Sequence, residues 1–223
     1  MLEGMKRCNE KYCGKQQMAA AAALVAVLLG LTVSLTASAE PRDDAVVGIR
    51  LRIGWKLDNL RVCGATPPGV PHGPDIDISF FGEVPLKDGV SLDVNVPLFR
   101  PIMFAAAARL LQFEPEVTLL FRGAVSAQTD VIGGPSLGLS FNYAPDLNAD
   151  FNSDDRSPSF FSIGPRIGGY VGVDFVRNGR RFNDQLGLHP YLLPLFSVRD
   201  PARHRGLVAG ATVDNSFRIH LAP

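Results

Sequence analysis

The chain has 223 residues, with 22 basic and 22 acidic side chains and 46% hydrophobic residues. That balance gives no global charge pointing to nucleic acid. The 22 glycines and 17 prolines point to many strands joined by turns rather than to long helices.

The N-terminus carries Lys6, Arg7, Lys11 and Lys15, then an apolar and small-residue run from Met18 to Thr36, then Ala37-Ser38-Ala39. A positive region, an apolar core and a small-x-small site make a cleavable secretory signal, with the cut expected between Ala39 and Glu40. The competing reading is an uncleaved anchor helix, since the apolar run approaches spanning length. Cleavage divides the chain into a signal peptide, residues 1–39, and one domain, residues 40–223. Cys8 and Cys13 leave with the signal, and Cys63 then has no intramolecular partner for a disulfide. The longest later apolar stretch, Ile102 to Leu111, is interrupted by Arg109 and is too short for a spanning helix. A mature form in a membrane must therefore cross it as a closed barrel.

Period-two alternation dominates the remainder. Val47, Ile49, Leu51, Ile53, Trp55 and Leu57 alternate with Gly48, Arg50, Arg52, Gly54, Lys56 and Asp58. Ile76, Ile78 and Phe80 alternate with Asp75, Asp77 and Ser79. After Lys87-Asp88-Gly89, whose Asp-Gly suits a tight hairpin, Val90, Leu92, Val94, Val96 and Leu98 alternate with Ser91, Asp93, Asn95 and Pro97. Phe113, Val117, Leu119 and Phe121 alternate with Gln112, Glu114, Glu116, Thr118 and Arg122. Leu137 to Tyr143 follows the same rule. Phe161 to Phe175 is the longest run, with Ile163, Ile167, Val171 and Val173 against Ser162, Arg166, Tyr170 and Asp174. After Asn178-Gly179 come Leu186, Leu188, Leu192, Phe196 and Val198 against Gln185, His189, Tyr191 and Ser197. Leu207 to Leu221 closes the series, with Val213, Phe217 and Ile219 against Asp214, Ser216, Arg218 and His220.

These segments predict about eight strands, an even number suited to a small closed barrel. Long connections at 59–74, 99–111 and 144–159 alternate with the Asp88-Gly89 and Asn178-Gly179 turns, as outer loops alternate with inner turns in such barrels. Ala124 to Gly133 is long for a turn, and Arg199 to Arg205 is short for an outer loop. Ile102 to Leu111 reads either as a short loop helix or as the start of the fourth strand. Trp55, Tyr143, Phe161 and Phe196 are expected near the outer rim, and Phe121, Phe175 and Phe217 near the inner one. Pro115, Pro165, Pro190 and Pro194 fall inside strand patterns, where each lacks a backbone donor, and are expected at bulges or strand ends.

Magnitude fixes the faces. Arg50, Arg52, Lys56, Arg122, Arg166 and Arg218 share the polar parity of their strands, and each would cost about 2–4 kcal/mol against mid-membrane lipid. Several together would exceed a typical folding stability of about 5–15 kcal/mol. The polar face therefore points inward if the barrel lies in lipid. Asp75, Asp77, Asp93, Glu114, Glu116, Asp174 and Asp214 join it, and the opposite charges are expected to pair in a plugged interior.

Few residues point to chemistry. Asp146, Asn148, Asp150, Asn152 and Asp154 place oxygens at alternate positions of one loop and are weak calcium candidates. They lack the EF-hand glycine and terminal glutamate, and a solvated acidic loop is the plainer reading. No histidine precedes a serine by two positions, so the His–Ser pairing of barrel lipases is absent from the local sequence. No cofactor is expected.

The alternation, strand number and loop rhythm resemble the small eight-stranded outer-membrane barrels of the OmpA/OmpX type. That resemblance implies an all-β, antiparallel, up-and-down transmembrane barrel in the bacterial outer membrane. It implies a bilayer as partner, no nucleic acid, a monomer, no enzyme activity, and outer loops that contact an extracellular partner. Two other function classes remain open: a soluble periplasmic barrel or sandwich holding a small apolar ligand, with its charged face in water, and a lipid-modifying barrel enzyme.

Overall fold

Strands form wherever the alternation persists, and their pairings run round into a closed ring. The computed structural model describes residues 44–59, 70–71, 73–87, 89–100, 111–126, 128–144, 160–175, 182–198 and 205–221. The strands are β1 (Ala45–Asp58), β2 (Gly73–Lys87), β3 (Val90–Pro97), β4 (Leu111–Phe113), β5 (Glu116–Ser126), β6 (Thr129–Ala144), β7 (Phe160–Phe175), β8 (Phe182–Ser197) and β9 (Arg205–Leu221). They make one antiparallel sheet in which β1 pairs with β9 and β6 pairs with β7, so the sheet closes on itself.

β4 and β5 both pair with β6, at Tyr143 to Phe141 and then from Gly138 onward. They are two pieces of one stave, parted at Glu114 and Pro115. The barrel therefore has eight staves. Of the two readings of Ile102 to Leu111, only Leu111 lies among the described residues, and it opens β4.

The connections fall into two sets. At one end β2 and β3 are joined through residues 88–89, with Gly89 at φ 69°. That left-handed backbone is what the Asp-Gly pair supplies. β5 and β6 are joined through residues 127–128, since β5 continues to Ser126 and β6 begins at Thr129. The expected long connection from Ala124 to Gly133 is thus corrected: small residues and glycines continued the strands instead of ending them. The Asn178-Gly179 turn, the signal segment with Ala39 and Glu40, the acidic positions Asp146, Asn148, Asp150, Asn152 and Asp154, and Cys63 all lie outside the described residues.

Three prolines stand within strands rather than at their ends or in bulges, which corrects the expectation for them. Leu139 N–H donates to the Pro115 carbonyl at 3.1 Å, so the polar groups of Leu139 face away from β7. Its antiparallel partner Pro165 must then direct its own backbone toward β8. Val198 N–H donates to Phe161 O at 3.0 Å, so by alternation Pro194 and Pro190 face β7. The register runs through Ile163↔Phe196 and Ile167↔Leu192, which sets Pro165 opposite Pro194. All three missing donors are thereby concentrated in the β7–β8 seam, where the register lapses at 164–166 and again at 169–170. Hydrogen exchange followed by mass spectrometry should show peptides from 164–170 and 189–195 taking up deuterium before peptides from 47–53 of β1. Uniform protection would count against this placing of the missing bonds.

Candidate functional site

The sheet sorts side chains by parity, and burial shows which side each parity takes. Arg50, Arg52, Lys56, Asp75, Asp77, Asp93, Glu114, Glu116, Arg122, Arg166, Asp174, Asp214 and Arg218 are all buried inside the barrel. The opposite parity is exposed on the wall, with Ile53 53%, Leu137 62%, Ile167 53% and Val213 52% accessible. Trp55, Tyr143, Phe161 and Phe196 stand toward the long-connection end, and Phe121, Phe175 and Phe217 toward the short-turn end.

The interior charges are arranged in tiers. Nearest the turn end, Arg122 and Arg218 converge on Glu83 and Asp174. Arg122 reaches Glu83 at 2.9 Å and also pairs with Asp174, while Arg218 reaches Asp174 at 3.0 Å and also pairs with Glu83. Ser91 donates to Glu83 at 2.6 Å, and Asn183 donates to Asp174. Alternating two guanidinium groups with two carboxylates gives each charge more than one opposite neighbour, which an enclosed ion requires. A shallow recess opens here, lined among others by Lys87, Arg122, Arg218, His220, Asp44 and Glu83.

In the middle tier Arg50 forks onto Asp93 at 3.0 and 2.9 Å and sends Nε to Ser216 at 2.8 Å. Its guanidinium stacks 4.5 Å from the centre of the Phe81 ring. Arg52 bridges Glu116 at 3.1 Å and Asp214 at 3.2 Å. Arg166 pairs with Glu116 and lies 3.8 Å over the Tyr191 ring. Toward the loop end, Lys56 reaches Glu114 at 2.8 Å and Asp75 at 3.7 Å. Arg100 pairs with Asp75 and lies 3.5 Å from Glu114, and Tyr191 donates to Asp75 at 2.5 Å. Asp77 is enclosed beside Arg52 in the β1–β2 register, and its Oδ1 accepts no hydrogen bond within the described residues.

Several interior groups escaped the sequence reading. Glu83 shares the parity of Asp75, Asp77 and Ser79, but Phe80-Phe81 breaks the alternation just before it. Arg100 lay in a stretch read as loop. Leu193, Leu195 and Val208 carry inward parity yet are apolar, and with Val70 and Tyr191 they form a dry cluster near the loop end. Leu120, Ile132 and Tyr170 make a second one. The interior is therefore salt-bridged and partly apolar. Glycine makes room for its large rings: a Cβ at Gly187 would collide with the Tyr170 hydroxyl, and one at Gly210 with the Tyr191 ring.

Ser136 and His189 also come together, although no His-x-Ser stands in the chain. Ser136 Oγ and His189 Nε2 are 2.9 Å apart, on β6 and β8. Asp214 lies 3.6 Å from Nδ1 and Glu116 lies 3.3 Å from Nε2. All four side chains are enclosed, among Arg166, Arg52, Tyr170 and Tyr191, with His189 and Asp214 fully buried. A nucleophile needs space for an acyl group and donors for its oxyanion. The Tyr170 and Tyr191 rings stand edge-on to His189, with centroids 6.1 and 6.3 Å away, and the Ser136 contact gives two buried polar groups a partner.

Comparison with known proteins adds the fold. No family model and no curated protein matches the chain. Among solved structures, Neisserial surface protein A (NspA) is similar with a TM-score of 0.53 at 11% identity, over 79% of this chain and 97% of that one. The N-terminal β-barrel domain of Pseudomonas aeruginosa OprF aligns with a TM-score of 0.36 at 12% identity, over 80% of this chain and 100% of that one. The first carries the likeness, and it is a likeness of fold: both chains are closed small antiparallel barrels.

Proposed function

We propose that the chain is an integral outer-membrane β-barrel with a structural or surface-contact role and no large pore. One observation carries this reading: the wall is apolar and the interior is ionic. Arg166, Asp214 and Arg218 are at most 1% accessible, while Ile53, Leu137 and Val213 are more than half exposed. A soluble barrel around an apolar ligand needs the reverse arrangement. In water the exposed wall would form one continuous apolar patch, far beyond the few hundred Å² that soluble monomers tolerate. In lipid the same wall is matched to its solvent, and closure satisfies the backbone that a bilayer cannot. The aromatic residues toward both ends fit two interfacial girdles. NspA, named as a surface protein, supports the reading by analogy of fold.

Within the membrane the tiers of ion pairs fill a bore that eight strands leave only wide enough for side chains. On this reading residues 1–39 export the chain, and the connections at 59–72, 98–110, 145–159 and 198–204 face outward to meet a partner. Fractionation tests the proposal. The protein should sediment with outer membranes, require detergent for release, and migrate faster on a gel when unheated than when boiled. Recovery in the periplasm without detergent would overturn it.

A further inference from the structure

Asn215 breaks the pattern of the wall. It lies on β9 with the outward parity of Val213 and Phe217, and it is exposed. Its register partners are Leu51 on β1 and Leu186 on β8. Three apolar rungs, Phe217, Ile219 and Leu221, separate it from the turn end of the strand, and Val213, Ala211, Ala209 and Leu207 lie toward the other end. Thr129 and Asp184, which share the outward parity, stand beside Phe175 at the turn-end rim, and Arg205 stands at the opposite end of β9. No hydrogen bond reaches the Asn215 side chain from the described residues.

A carboxamide left unpaired in hydrocarbon is costly, and asparagine in a membrane-facing position characteristically bonds across to another protein segment. Its amide both donates and accepts, so its complement is a second amide of the same kind. A second copy of this chain supplies one at the same depth automatically, because a two-fold axis along the membrane normal pairs a residue near the axis with itself. Asn215 stands one rung inside Phe217 of the turn-end girdle, on the hydrocarbon side. The rungs on the loop side of Asn215 include Ala211 and Ala209, which allow two strands to approach.

We propose that the outward face of β9 is a self-association surface, closed by an Asn215–Asn215 amide pair between two copies. This rests on the membrane reading above and differs from the expectation of a monomer. The test is oxidative cross-linking in outer membranes of Asn215→Cys in a Cys63→Ser background, with Val117→Cys on the opposite stave as control. Most Asn215→Cys chains should cross-link as dimers, while Val117→Cys chains remain monomeric. In parallel, Asn215→Leu should weaken the dimer about three- to twenty-fold by sedimentation in detergent, with Asn215→Gln restoring part of it. Membrane-bound protein that cross-links no more at 215 than at 117, or an Asn215→Leu dimer of unchanged affinity, would overturn the interface alone. Labelling of Asn215→Cys by a membrane-impermeant thiol reagent would do the same by showing that the group is solvated. Protein recovered in the soluble periplasm would instead remove the membrane reading beneath it.

Discussion

Glu116→Leu should destabilise the barrel by about 3–5 kcal/mol in reversible urea unfolding from detergent or vesicles. Glu116 is the carboxylate that Arg166 pairs with, it also holds Arg52 at 3.1 Å, and both guanidinium groups are enclosed. Removing it leaves Arg166 with the Tyr191 ring and, among the described residues, no opposite charge within bonding distance. Arg52 retains Asp214 at 3.2 Å. The expense comes from the stranded charge and not from the loss of an attractive pair. The double change Glu116→Leu with Arg166→Met removes both charges and should recover most of the loss. A single change that costs less than about 1 kcal/mol would mean that Arg166 is hydrated, and the interior would then be wet rather than plugged.

Leu188→Arg should cost about 2–4 kcal/mol in vesicles, because the residue faces outward at mid-strand between Val171 and Val213. The same change at Leu207, nearer the loop rim of β9, should cost only about 0–1 kcal/mol. The gradient is the informative quantity. On a water-facing wall both substitutions would fall within about 0.5 kcal/mol of the parent, since exposed surface changes away from special features are nearly neutral. Urea unfolding of the two variants side by side reads the gradient directly.

The sequence made the wall legible because a period of two is unambiguous where one parity is oily and the other charged. Arg50, Arg52 and Lys56 on β1, or Arg166 and Asp174 on β7, announce their face by themselves. Closure was legible too, since the alternation recurs in about eight segments with long and short connections taking turns. The partners within the bore were not. Arg50 meets Asp93, and Arg218 meets Glu83 and Asp174, across strands far apart in the chain. That pairing depends on the stagger between staves, which no local pattern encodes. The apolar clusters were hidden for a related reason. Leu193 and Leu195 sit beside outward Leu192 and Phe196 in an all-apolar run, where parity gives no contrast. The prolines misled because each was weighed alone. Pro165 and Pro194 are tolerated together, opposite one another, so that their missing donors fall in one seam. Ser136 and His189 were missed because a nucleophile–base contact was sought along the chain, whereas the sheet brings it about across β6, β7 and β8.

What touches the wall decides between membrane and water. Nitroxide labels placed singly at Ile53, Leu188 and Val213, in protein reconstituted into vesicles, report collisions with oxygen, which partitions into lipid, and with a water-soluble nickel chelate. Frequent collision with oxygen and shielding from nickel are expected at all three positions. Free access of nickel to those labels would show the apolar parity in water, and the membrane assignment would be wrong.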